Sequence, residues 1–160
     1  MKNRKSAVSV RMGVTDLQKI KAIAGRLGVR DSDVFRYAVK NSLAQLAPLV
    51  DPTIQGRHLL PVFVEGGPTL LRYFELDAAR LAEIVNAGVG DPEVLVAAED
   101  LMLLSMAGVQ ESYALVKLGE LLDGTTTASL PQERDSLVEV LREYLYDKYV
   151  FRPAKRLAVG

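Results

Sequence analysis

The first polarity pattern in the chain has a period of two. In Ala7-Val8-Ser9-Val10-Arg11-Met12, Val8, Val10 and Met12 share one face while Ala7, Ser9 and Arg11 share the other, which predicts a short half-buried strand ended by Gly13. The period then lengthens. Leu17, Ile20, Ala24 and Leu27 recur at three- and four-residue spacing, predicting a helix capped by Thr15 and stopped by Gly28. Val34, Ala38, Val39, Leu43 and Leu46 predict a second helix, capped by Ser32, with Asp33 in the first turn where the macrodipole favours an acid. It ends near Pro48.

Residues 51–57, DPTIQGR, predict a linker punctuated by Pro52 and Gly56. Apolar segments at 58–64 and 69–76, split by Glu65-Gly66-Gly67-Pro68, predict a β-hairpin with Pro61 at an edge or bulge. Four helices are expected after it, over 77–87, 91–106, 111–122 and 131–149, the first capped by Asp77. The expected fold class is mostly α (α+β): a strand-helix-helix module over 1–50, the linker, and a mainly helical domain over 58–160. GVRDSDV at 28–34 and GVGDPEV at 88–94 form a faint echo of a degenerate repeat.

Charge sharpens this division. Residues 1–50 hold ten Lys/Arg against three acids, a balance of +7, and residues 51–160 hold ten against seventeen, so the net charge of zero conceals a basic half and an acidic half. Such a division points the first half towards a polyanion. The absence of cysteine excludes a disulfide framework and thiolate metal sites. The N-terminus lacks an apolar stretch of signal-peptide length, and the longest apolar run, 94–109, is interrupted by Glu99 and Asp100 and too short for a bilayer. A cytoplasmic, nucleoid-associated protein without membrane contact is expected.

A single strand leaves its edges unpaired, and about 45 residues are too few for an independent core. A second copy would complete the module by pairing two strands antiparallel above four interlocked helices. Val8, Val10, Met12, Leu17, Ile20, Val34 and Ala38 would then form the dimer core, with Ser9 and Arg11 of both chains exposed on a ribbon that fits the major groove. In VSVRM and in GVRDSDVFRYAV, with Ser32, Asp33, Arg36 and Ala38, the first 46 residues resemble the ribbon-helix-helix (Arc/MetJ-like) DNA-binding family. The resemblance implies base contacts from Ala7, Ser9 and Arg11, and a phosphate held by Ser32 and the amides after it, including that of Asp33. Ala7 can offer only apolar contact, for instance to a thymine methyl. Asp31 and Asp33 should repel a phosphate, an effect that Arg30 and the helix end offset. Lys2, Arg4 and Lys5 form an arm suited to phosphate contacts without specificity.

No catalytic constellation stands out, and no cofactor, metal or enzymatic activity is expected; the single histidine, His58, reads as structural. Glu99 and Asp100 are expected on a solvated face. In the segment 144–156, Tyr144, Tyr146, Tyr149 and Phe151 are expected to dock on a core while Lys148, Arg152, Lys155 and Arg156 stay in water. The reading is a dimeric transcriptional repressor that binds double-stranded DNA. Its second half would assemble dimers, bind a small effector or dock a protein partner. An antitoxin, or a plasmid-partition or DNA-architectural protein, is the alternative.

Overall fold

The computed structural model describes residues 6–107, 109–122 and 134–151, and every regular element among them is helical. The chain divides into two compact units, Met1–Gln45 and Leu46–Gly160. The expected α+β class is therefore corrected to all-α. Residues 6–13 carry no strand, and no backbone hydrogen bond among the described residues reaches 6–12. Alternating polarity favours an extended chain, but a strand exists only where a neighbour completes its ladder.

In the first unit, α1 (Val14–Leu27) starts from Gly13, extended at φ −63° and ψ 145°, rather than from a Thr15 cap. It closes at Gly28, where the Val29 amide donates to Ala24 O at 3.0 Å. α2 (Asp31–Gln45) starts one residue before the expected cap, so Ser32 lies inside its first turn. The capping contact comes instead from Asp33, whose carboxylate reaches back to accept from the Arg30 amide at 3.3 Å.

The second unit opens with a 3-10 turn, Ala47–Val50, followed by an Asp51 turn in which the carboxylate accepts from the Thr53 amide at 2.9 Å and its hydroxyl at 2.7 Å. Part of the expected linker is thus folded onto this unit. Gly56 is buried at φ +55°, and a Cβ there would fall 2.1 Å from Val94 O. The Arg57 amide donates to that same carbonyl at 2.8 Å.

The expected hairpin is instead one kinked helix, α3 (Leu60–Tyr73). Pro61 sits in its first turn, where a missing amide costs nothing, and Gly67 at φ 62° and ψ −166° breaks the helix before Pro68 restarts it. Among its buried residues, Leu60, Phe63, Val64, Gly67 and Leu71 recur at helical spacing, with Val62 buried beside them. The Gly-Gly-Pro run marks a kink, not a reversal.

α4 (Ala78–Asn86) is capped by Asp77, which accepts from the Arg80 amide at 2.8 Å. The helix expected over 91–106 is confined to α5 (Ala98–Met106). Before it, Asn86 replaces a ladder, its side chain accepting from the Val96 amide at 3.0 Å and donating to the Val96 carbonyl at 2.9 Å. Residues 88–94 thus lead into a turn where 28–34 lead into a helix, so the echo has no structural counterpart. α6 (Glu111–Leu122) and α7 (Arg134–Leu145) follow, the latter continuing as a π-helical turn, Tyr146–Val150. Phe63, Leu81, Val85, Leu101, Leu118 and Leu145 lie in one continuous core.

Asp100 is 1 % exposed in that core, so the expected solvated position is corrected, while Glu99 does face water. Its carboxylate accepts from Tyr144 Oη at 2.9 Å, Lys148 Nζ at 2.7 Å and Tyr149 Oη. Tyr149 Oη also accepts from the Ala97 amide at 3.0 Å. The Lys148 ammonium lies 5.3 and 5.5 Å from the Tyr144 and Tyr149 ring centroids. Lys148 is thus drawn inward to a buried acid. Arg152, Lys155 and Arg156 lie outside the described residues.

Two predictions follow from this packing. Gly56→Ala should destabilise the protein by at least about 2 kcal/mol, read as a lowered urea midpoint, because both the left-handed backbone and the Val94 carbonyl oppose a side chain. Alkali should also weaken the fold. Burial, then the bond to Asp100, pushes the Tyr149 phenol up to about 12. The Lys148 ammonium is opposed by burial but is raised by its bonds to Asp100 and Tyr144. Both folded values exceed the unfolded ones, so this stability is present below about pH 10 and is lost as the pH climbs towards 12. Urea titrations between about pH 8 and 12 should show a loss on the order of 2 kcal/mol, and Tyr149→Phe should reduce it, leaving the part that Lys148 carries.

Candidate nucleic-acid interface

In the first unit both the cations and the apolar side chains face outward. Ala24 is the buried residue among the described ones of this unit, and Met12, Ile20, Val34 and Phe35 are half-buried. Val8, Leu17 and Ala38 are exposed, as are Val10 at 72 %, Tyr37 at 73 % and Leu43 at 63 %. Of the seven residues expected in a dimer core, Met12, Ile20 and Val34 are therefore half-covered within one chain and Val8, Val10, Leu17 and Ala38 are open. α1 and α2 share a seam and leave their other apolar positions in water.

Ala7, Ser9 and Arg11 are exposed on the segment leading into α1, as are Val8 and Val10 on its other face. Lys19, Lys21, Arg26 and Lys40 stand exposed on the two helices. Lys2, Arg4 and Lys5 lie outside the described residues.

The start of α2 is organised by Asp33. Its Oδ2 accepts from Arg30 Nε at 3.1 Å, while its Oδ1 accepts from Arg30 Nη2 at 3.2 Å and Arg36 Nη1 at 3.0 Å. The bond from Arg30 is the main reason that its carboxyl is held below the usual carboxylate range. One acid therefore orients two guanidinium groups in solvent beside a positive helix end. The Asp33 amide donates to the Arg30 carbonyl at 2.9 Å. This leaves the earlier amides, those of Asp31 and Ser32, as the ones suited to an incoming anion. The role of Asp33 as a clamp on Arg30 and Arg36 was legible in the sequence only as i,i+3 charge spacing.

Among the described residues no group of three or more His, Asp or Glu is arranged to hold a metal ion, and no helix is long and apolar enough to cross a membrane.

If this end of α2 meets phosphates, Asp33→Asn should raise affinity for any duplex severalfold and steepen the salt dependence by up to about one unit in log–log slope. Sequence preference should be unchanged. Fluorescence anisotropy over roughly 50–200 mM salt measures both effects.

Comparisons with protein-family models, with curated proteins and with solved structures find no match to this chain.

Proposed function

We propose that this protein is a dimeric, sequence-specific DNA-binding transcriptional regulator whose unit Met1–Gln45 makes both the dimer and the DNA contact. The observation that carries the reading is one coincidence: the unit holding a balance of +7 also leaves its apolar side chains exposed around a two-helix seam. Apolar surface of this kind calls for a protein partner, and the surrounding cations call for a polyanion. A second copy meets the first need symmetrically, since identical faces can cover one another across a two-fold axis.

Ser9 and Arg11 then reach the duplex in two symmetry-related copies, which favours a palindromic site. Arg11 is suited to guanine O6 and N7, Ser9 to a single base-edge or phosphate bond, and Ala7 to apolar contact. Arg30 and the early α2 amides are suited to the backbone, as are Lys2, Arg4 and Lys5. The likeness of residues 28–39 to the ribbon-helix-helix family supports the same assignment. The unit Leu46–Gly160, which contains the balancing acidic excess, is suited to assembly or regulation rather than to DNA.

Selection of bound duplexes from random sequence, followed by sedimentation of the free protein, tests this reading. A palindromic motif and a dimer are expected. Arg11→Ala should lower discrimination between selected and random duplex about tenfold or more while leaving the dimer intact. A chain that sediments as a monomer at tens of micromolar, or that enriches no motif, overturns the proposal.

A further inference from the structure

A cavity of about 540 Å3 opens in the unit Leu46–Gly160, between the second half of α3, the start of α4 and the end of α5. Its floor is apolar, formed by Leu71, Leu76, Met102 and Met106. The volume lies within the range of small-molecule sites, and methionine side chains adapt to ligands of varied shape.

Charge is confined to a few groups at the mouth. Asp77 lines it with Oδ1 committed to the Arg80 amide, and Arg72 lines it while already engaged. The third group is Glu75, which is exposed and has an unusual backbone. At φ 52° it is the one non-glycine residue with positive φ among the described residues. Its amide donates to Arg72 O at 3.2 Å and the next amide, of Leu76, to Leu71 O at 2.8 Å, the reverse turn with which helices commonly end on glycine. A glutamate at this position costs conformational free energy that glycine would avoid. Such strain at the mouth of an apolar cavity points to a use for the side chain.

We infer that this cavity binds a small amphiphilic cation, its apolar body against Met102 and Met106 and its ammonium group at the Glu75 carboxylate. The inference is independent of DNA binding, because no residue of the cavity belongs to Met1–Gln45.

The test uses the full chain with 13C-methyl methionine. Its four methionines, Met1, Met12, Met102 and Met106, give two reporters in the cavity and two controls in the other unit. Titration with tryptamine should shift the Met102 and Met106 methyl signals and leave Met12 unmoved. Tryptophol, the neutral analogue, should bind roughly tenfold more weakly. Glu75→Gln should abolish that difference. Glu75→Gly should abolish it too while raising the melting temperature by roughly 3 °C, which separates loss of the carboxylate from loss of the fold. Absence of methyl shifts at millimolar tryptamine, equal affinity for the neutral analogue, or a preference that survives Glu75→Gln would overturn the inference.

Discussion

Two helices can share a seam, but they cannot enclose a core. Any apolar side chain that points away from the seam faces water unless a third element covers it, and within Met1–Gln45 the described residues include no such element. Ala24 is buried, whereas Val10, Tyr37 and Leu43 are not. The hydrophobic effect is worth about 25 cal/mol for each Å2 removed from water, so this unit realises little of the stabilisation its composition offers. The proposed dimer and the proposed DNA site both follow from that deficit: one face needs cover, and the cations that surround it need an anion.

The second unit has no such deficit. Side chains from α3, α4, α5, α6 and α7 converge on one core. What is unusual is the charge this core accepts. Asp100 is tolerable there because its carboxylate gains three donors, from Tyr144, Lys148 and Tyr149. Geometry supplies them through the change of helix type at the end of α7. Tyr144 and Lys148 are an i,i+4 pair on one face, and the π turn, with the Phe151 amide donating to Tyr146 O at 2.8 Å, brings Tyr149 to the same side. One residue more per turn aligns a phenol that an α-helix would have rotated away.

A second polar tie holds the other side of α7. Glu65 of α3 accepts from Arg142 Nε at 2.8 Å and from Tyr146 Oη at 2.7 Å, and the Arg142 guanidinium lies 5.2 Å from the Tyr146 ring centroid. The Glu65 and Arg142 side chains are about half exposed, so water screens much of their attraction, and the contact sets register more than stability. Successive tyrosines along this segment thus serve opposite partners, Asp100 on α5 and Glu65 on α3. The alternation of rings and cations in the sequence is accounted for by two intramolecular acids over the described residues.

Local pattern determined much of this protein by itself. The spacing of Leu17, Ile20, Ala24 and Leu27, the stop at Gly28, the Asp77 cap and the span of α6 were all legible, because each is set by residues within a turn or two of one another. The division of charge at residue 50 was legible by counting. Tertiary structure decided the rest. Val8, Val10 and Met12 alternate like a strand, yet no described element lies beside them to complete a ladder, and no strand forms. The run from Leu60 to Tyr73 was read as a hairpin because Gly66-Gly67-Pro68 interrupts it, yet burial against α5 requires the faces of a helix on both sides of that break. Asp100 looks like any surface acid until Tyr144, Lys148 and Tyr149, more than forty residues away, are folded onto it. Periodicity records which side chains share a face; which face is covered, and by what, is settled only when distant segments meet.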